Sequence, residues 1–181
     1  SHVSVLVDAK GQRLVVPFHD LDVDDSAGWL PLATLKQADM VHCDARWVNG
    51  AEAALKAASA LGLPRMIDGD VAPKEVLDRL VPLATHAVFS DAGLLGYTGA
   101  SSVERALLHI ASCHAGDVGA SCGADGYFWV EDGKIHHVDS PVVNVVDTLS
   151  AGDVFHGAFA LALLEGQLVA EAARFACVAA A

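Results

Sequence analysis

The chain has 181 residues, 53% hydrophobic and 19% charged, and its 11 Lys+Arg against 23 Asp+Glu leave a formal net charge of −12. That balance repels phosphate backbones and anionic lipid, which argues against nucleic-acid and polybasic membrane binding, and the apolar content argues against disorder. The longest apolar run, Phe155 to Leu164, contains His156 and Gly157 and stops at Glu165, short of the ~20 residues of a membrane span, so a soluble globular protein is expected, one domain or a large piece of one.

In chain order, the first twenty residues read as a β-hairpin: Val3, Val5 and Val7 alternate with polar neighbours, AKG turns, and Arg13–Phe18 returns. The acidic stretch HDLDVDDSAG connects it to another layer. From Trp29 the pattern alternates strand and helix: MVHCDA, a helix over Gly50–Leu61, PRMID, a helix over Pro73–Leu83, HAVFS, a helix over Ser102–Ala115, and DVGASCG. This order predicts an α/β architecture, a mainly parallel sheet flanked by helices. YFWVEDGKIHHV reads as a hairpin with Asp132-Gly133 in a type I′ turn. VVNVV reads as a strand that breaks at small residues and leads into a long apolar helix, and a last helix spans Val169–Ala181. The apolar face of that last helix and the unpaired opening hairpin carry the expectation that the chain is incomplete at both ends.

The four cysteines, at 43, 113, 122 and 177, form no C-x-x-C pair. They read as reduced core thiols, and the opening SHVSVLVDAK reads as neither a signal nor a transit peptide, so a cytoplasmic location is expected. His109, Cys113 and His114 fall near one helix face, a packing pattern more than a metal site. His136 and His137, adjacent on a strand, face opposite ways. Trp29, Trp47 and Trp129 read as core or rim packing. No P-loop, nucleophile elbow or dinucleotide fingerprint occurs.

The chemistry concentrates in Asp147-Thr148-Leu149-Ser150-Ala151-Gly152-Asp153, followed by a buried helix. Small residues allow a sharp turn, and the amides of Ala151, Gly152 and Asp153 then form a helix N-terminus suited to an anion. Asp153 can take a proton from a hydroxyl beside that anion, a combination suited to phosphoryl transfer. An Asp there can equally be a helix cap.

DTLSAGDVFHGAF resembles the D-T-x-G-A-G-D signature of the PfkB/ribokinase family of carbohydrate kinases. The likeness runs back through GADGYFWVEDGKIHHV, IDGDVAP and CDARW to the opening hairpin. D-x-R-W at 44–47, D-G-D at 68–70 and VFHGAFALAL place it nearest the sulfofructose kinase and ketohexokinase branch. The resemblance implies a ribokinase-like fold, with residues 1–20 part of a small β-lid and 21–181 an α/β core for nucleotide and sugar. It implies Asp153 as catalytic base and Ser150, Ala151 and Gly152 as anion hole. Ser90, Ser121, Gly123 and Gly126 fall on the nucleotide side, although the glycines would also pass for a hairpin entry. Asp147 and Thr148 match a stretch that binds a monovalent cation such as K⁺ in some members, or else Asp147 ties down the turn. ATP with Mg²⁺ riding on its phosphates is the implied co-substrate, and pairing of two lids the implied homodimer.

Arg46, at the C-terminal end of a strand, is the candidate for recognising an oxyanion of the substrate, a sulfonate in a sulfosugar kinase, or else it pairs with Asp44. The sequence departs from the family pattern in three places. Ser150 stands for a glycine, Ser90-Asp91-Ala92-Gly93 for N-x-x-E, and Val16-Pro17-Phe18 for polar lid residues. The reading reached is phosphorylation of a primary hydroxyl of a ketose or sulfosugar-like monosaccharide. A non-catalytic sugar- or nucleotide-binding protein on the same fold stays open, as does a kinase for a nucleoside or 2-keto-3-deoxygluconate.

Overall fold

Alternating side chains on the parallel strands bury both faces of one sheet, and those two faces organise the molecule. The computed structural model describes residues 2–7, 13–18 and 22–181. β1 (His2–Val7) and β2 (Arg13–Phe18) pair antiparallel in a sheet of their own, while the expected AKG turn lies outside the described residues. β3 (Val41–Cys43), β4 (Arg65–Gly69), β5 (His86–Ser90), β6 (Asp117–Ser121), β7 (Tyr127–Glu131) and β8 (Lys134–Val138) form a six-stranded sheet in that order. The pairs from β3 to β6 are parallel, and β7 and β8 add antiparallel. At the β7–β8 turn Asp132 and Gly133 take φ of 52° and 70°, the double left-handed geometry of the expected type I′ turn.

Ile67, Ala87, Phe89, Val118 and Ala120 face one layer of helices: α1 (Val48–Ala60), α2 (Lys74–Leu80), α3 (Asp91–Thr98) and α4 (Val103–Ala111). Met66, Val88, Tyr127 and Trp129 face the other, formed by α5 (Ala151–Leu164) and α6 (Val169–Ala180). Phe155 and Phe159 of α5 pack on Tyr127 with ring centroids 5.2 and 5.1 Å away, and burying each is worth about 1.5–3 kcal/mol. His136 stacks on Trp129 and His137 on Phe128, so the histidine pair does straddle the sheet. Trp29 is exposed and stacks on Trp47. All four cysteines are free, but Cys177 alone among them is buried. No helix among the described residues is long and apolar enough to cross a membrane.

Two elements differ from expectation. VVNVV is not a strand: residues 139–150 are irregular and Val142, Val145 and Val146 are exposed. Valine favours strands because it fits a pleated, half-buried surface, and here no neighbouring strand supplies one among the described residues. The second is α3, which the sequence hides because Gly93 and Gly96 lower its helix propensity. Gly93 is required, because a Cβ there would overlap the Gly69 carbonyl where α3 abuts the end of β4.

Candidate active site

Because β3 to β6 run parallel, their C-terminal ends share one edge, where Ser90 and Ser121 end β5 and β6 and the segments that follow the strands carry Asp44, Arg46, Asp70 and Gly123. α5 starts beside this edge. Ser150 precedes it in the left-handed region, with φ 61° and ψ 9° and no capping bond from its hydroxyl. The Ala151 N–H donates to the Thr148 carbonyl at 3.3 Å, which narrows the expected anion hole. The N–H groups of Gly152 and Asp153 meet no acceptor among the described residues, as the first turn of a helix dictates. Asp147 accepts the Leu149 N–H at 2.8 Å, the turn-tying role.

The Ser150 conformation costs a non-glycine residue about 1–2 kcal/mol. Ser150→Gly removes that strain at some cost in unfolded-chain entropy, so it is expected to stabilise the fold by about 0.5 kcal/mol, read as a higher denaturant midpoint.

Asp153 is exposed and lines a cavity of ≈ 540 Å³ with Leu30, His42, Cys43, Asp44, Trp47 and Asp68, closed by Gly50, Ala51 and Ala54 of α1. The acidic connection helps to shape it, since Asp25 accepts from Trp47 Nε1 at 2.9 Å and from Asn49 Nδ2 at 3.0 Å. Burial, then His156, pushes the His42 imidazole down to about 4 against the pull of Asp44 and Asp153, so the ring is neutral near pH 7. Burial pushes the Asp68 carboxyl up, opposed by His156 and reinforced by Asp70 and Asp153. Burial and Asp44 raise the Cys43 thiol to about 11, which keeps it un-ionised and a poor nucleophile. The lining thus holds three aspartates and no lysine or arginine.

Arg46 is absent from that lining. Its guanidinium pairs with Asp70 Oδ2 at 3.0 Å, with the side chains 56% and 49% exposed, a contact worth about 0–1 kcal/mol. Asp44, the alternative partner, instead accepts the Arg46 backbone N–H at 3.0 Å. Asp70 Oδ1 accepts from the Ser90 hydroxyl at 3.0 Å, and Ser90 Oγ caps α3 by accepting from the Gly93 N–H at 3.0 Å. The Ser121 hydroxyl donates to the Phe89 carbonyl at 3.3 Å. Gly123 and Gly126 both have positive φ, 54° and 83°, in the turn that enters β7.

The sequence assigned no site role to His42, Asp68, Asp70 or His156, although D-G-D at 68–70 and the VFHGAF run served as family motifs. Two signals could have found them. Met66 and Asp68 share a strand face, so a carboxylate follows a core methionine toward the same helix, and Asp153 and His156, three apart, share a face of α5.

A model of the pfkB family of carbohydrate kinases matches residues 3–181. The chain belongs to that family. Among solved pfkB-like structures, a candidate ribokinase from Agrobacterium tumefaciens is 38% identical with a TM-score of 0.91, over 99% of this chain and 60% of that one. Arabidopsis thaliana ribokinase, solved with ribose and ATP, is 26% identical with a TM-score of 0.77, over 99% of this chain and 61% of that one. Adenosine kinase from Sinorhizobium meliloti shares the fold at 18% identity and a TM-score of 0.77, over 98% of this chain and 58% of that one. This chain therefore spans about three fifths of the length of those pfkB-like chains. The family and the ribokinase-like fold stand, while the matches extend to both sugar and nucleoside kinases and single out no sulfofructose or ketohexokinase branch.

Proposed function

We propose that this protein transfers the γ-phosphoryl group of ATP to a primary hydroxyl of a monosaccharide. One observation carries the reading: the Asp153 carboxylate opens onto the cavity from a helix turn whose Gly152 and Asp153 N–H groups are uncommitted. The acceptor alcohol would lie in the cavity with its oxygen beside Asp153, which takes the proton as that oxygen attacks the γ-phosphorus. The bond to the bridging oxygen breaks and ADP leaves, while the two N–H groups and the α5 dipole offset charge on the equatorial oxygens. Mg²⁺, when bound, would ride on the ATP phosphates and water, as is usual for this ion, and would neutralise charge on the transferring group. The aspartate-rich lining favours a neutral polyhydroxyl acceptor over a sulfonated or carboxylated one.

Gly152 supplies a sharp test. A Cβ there meets nothing within 4 Å and no positive φ opposes it. Gly152→Ala should therefore leave stability unchanged or raise it by up to about 1 kcal/mol. It should also lower kcat on the order of 10–100-fold by crowding the phosphoryl approach. Equal turnover in both proteins would remove the turn from the chemistry.

The decisive experiment is ADP release by the full-length protein with ribose, fructose, sulfofructose, 2-keto-3-deoxygluconate and adenosine in turn. Acceptor-dependent release with a neutral sugar is the expected result, and binding without release by any acceptor would leave a sensor on a kinase fold. On the hairpin, the register puts Leu6, Val16 and Phe18 on one face, and all three are exposed. We assign that apolar face to a lid that shields the sugar from water and that can pair with a second lid.

A further inference from the structure

His156 is 2% exposed, a histidine buried among apolar and aromatic side chains. Its Nδ1 lies 2.8 Å from the Gly152 carbonyl oxygen, and a carbonyl only accepts, so Nδ1 carries hydrogen. Nε2 lies 3.3 Å from the Val88 carbonyl oxygen and 3.6 Å from Asp68 Oδ1. With Asp68 ionised, a neutral ring would point a lone pair at two acceptors. A hydrogen on Nε2, donated to the Val88 carbonyl with the Asp68 carboxylate alongside as counter-charge, removes the conflict and leaves the pair neutral overall, which suits a buried position.

The surroundings favour this arrangement. The His42 ring from β3 stacks on His156 with centroids 5.4 Å apart and an interplanar angle of 21°, and Phe155 meets it edge-on at 5.9 Å. The charged groups acting on the pair are Asp70 after β4 and Asp153 on α5, with Asp44 acting on His42. Burial pushes the Asp68 carboxyl up and His156 opposes that push, as an opposite charge beside a buried carboxylate does.

The pair grips Gly152. Gly152 has no side chain to pack, the Ala151 N–H goes to Thr148, and the Ser150 carbonyl accepts from Val154. Among the described residues, His156 is therefore the hydrogen-bonded link between the Ser150–Asp153 turn and the parallel strands. We propose that Asp68 and His156 are positioning residues for phosphoryl transfer: His156, hydrogen-bonded to the Gly152 and Val88 carbonyls and charge-balanced by Asp68 from β4, ties the first turn of α5 to the parallel strands and so aims the Gly152 and Asp153 N–H groups. This rests on the reading of that turn as the phosphoryl site. A displacement of about 1 Å at such a turn is enough to cost on the order of 100-fold in rate.

The test uses the full-length protein with ¹⁵N-labelled histidine. Asp68→Ala should move the His156 Nε2 signal and lower kcat about 10–100-fold, with KM for ATP and acceptor within about threefold. Asp68→Asn keeps the shape of the side chain and removes its charge, so it should also move the Nε2 signal and lower kcat, by less than Asp68→Ala does. Unchanged ring signals in Asp68→Ala, or wild-type kcat in that variant, would overturn the proposal. The ring signals are read without turnover, and Asp153→Asn should leave them in place. A protein that phosphorylates no acceptor would therefore sink the kinase reading separately, with the nitrogen spectra still judging the pair.

Discussion

Asp153→Asn in the full-length protein should lower kcat about 10³-fold while ATP affinity stays nearly intact. The side chain is exposed and lines the cavity, so the amide fits where the carboxylate was and nothing in the core is disturbed. Asparagine keeps the Asp153 N–H and the α5 dipole, so the proposed phosphate contacts survive. What it removes is a proton acceptor at the acceptor hydroxyl. Turnover measured by ADP release, beside nucleotide binding measured directly, separates these effects. A variant with normal kcat would show that Asp153 merely caps its helix.

Gly126→Ala should be the most damaging single methyl addition in the turn that enters β7, the proposed nucleotide side. Gly126 has φ 83° and ψ −141°, a region essentially restricted to glycine, where strain amounts to about 1–3 kcal/mol. A Cβ would also overlap the Val138 carbonyl oxygen, a backbone atom that cannot swing away, and overpacking adds roughly 1–3 kcal/mol. The combined loss of about 3 kcal/mol or more corresponds to a midpoint lowered by roughly 5–10 °C. Gly123→Ala adds a methyl into open space at φ 54° and should cost about 1 kcal/mol. Thermal unfolding of the two variants measures the difference. Equal midpoints would mean that the turn relaxes freely and that Gly126 is there for a ligand.

Sequence patterns were informative wherever local physics decides. The strand–helix alternation located the parallel strands, because an apolar run between short loops has few other ways to be buried. Asp132-Gly133 identified its turn because positive φ at two successive residues demands those types. VVNVV misled because valine reports a preference for a pleated surface and says nothing about whether a neighbour is there. The opposite failure hid α3, whose glycines weaken the helical signal because one of them must clear the Gly69 carbonyl.

The candidate active-site turn divides along the same line. Residue types in DTLSAGD and its trailing apolar helix nominate Asp153 and the exposed amides, since a turn of small residues before a buried helix exposes amides wherever it folds, and the likeness of that signature to the pfkB pattern supplies the family. Which amides stay uncommitted, where the Arg46 guanidinium goes, and which carboxylates share the cavity with Asp153 were decided by tertiary packing. Arg46 meets Asp70 across 24 residues and His156 meets Asp68 across 88, distances of chain over which sequence spacing carries no geometry. Strand alternation turns Asp68 toward α5, helix periodicity turns His156 toward β4, and the packing of the helix on the sheet brings them together.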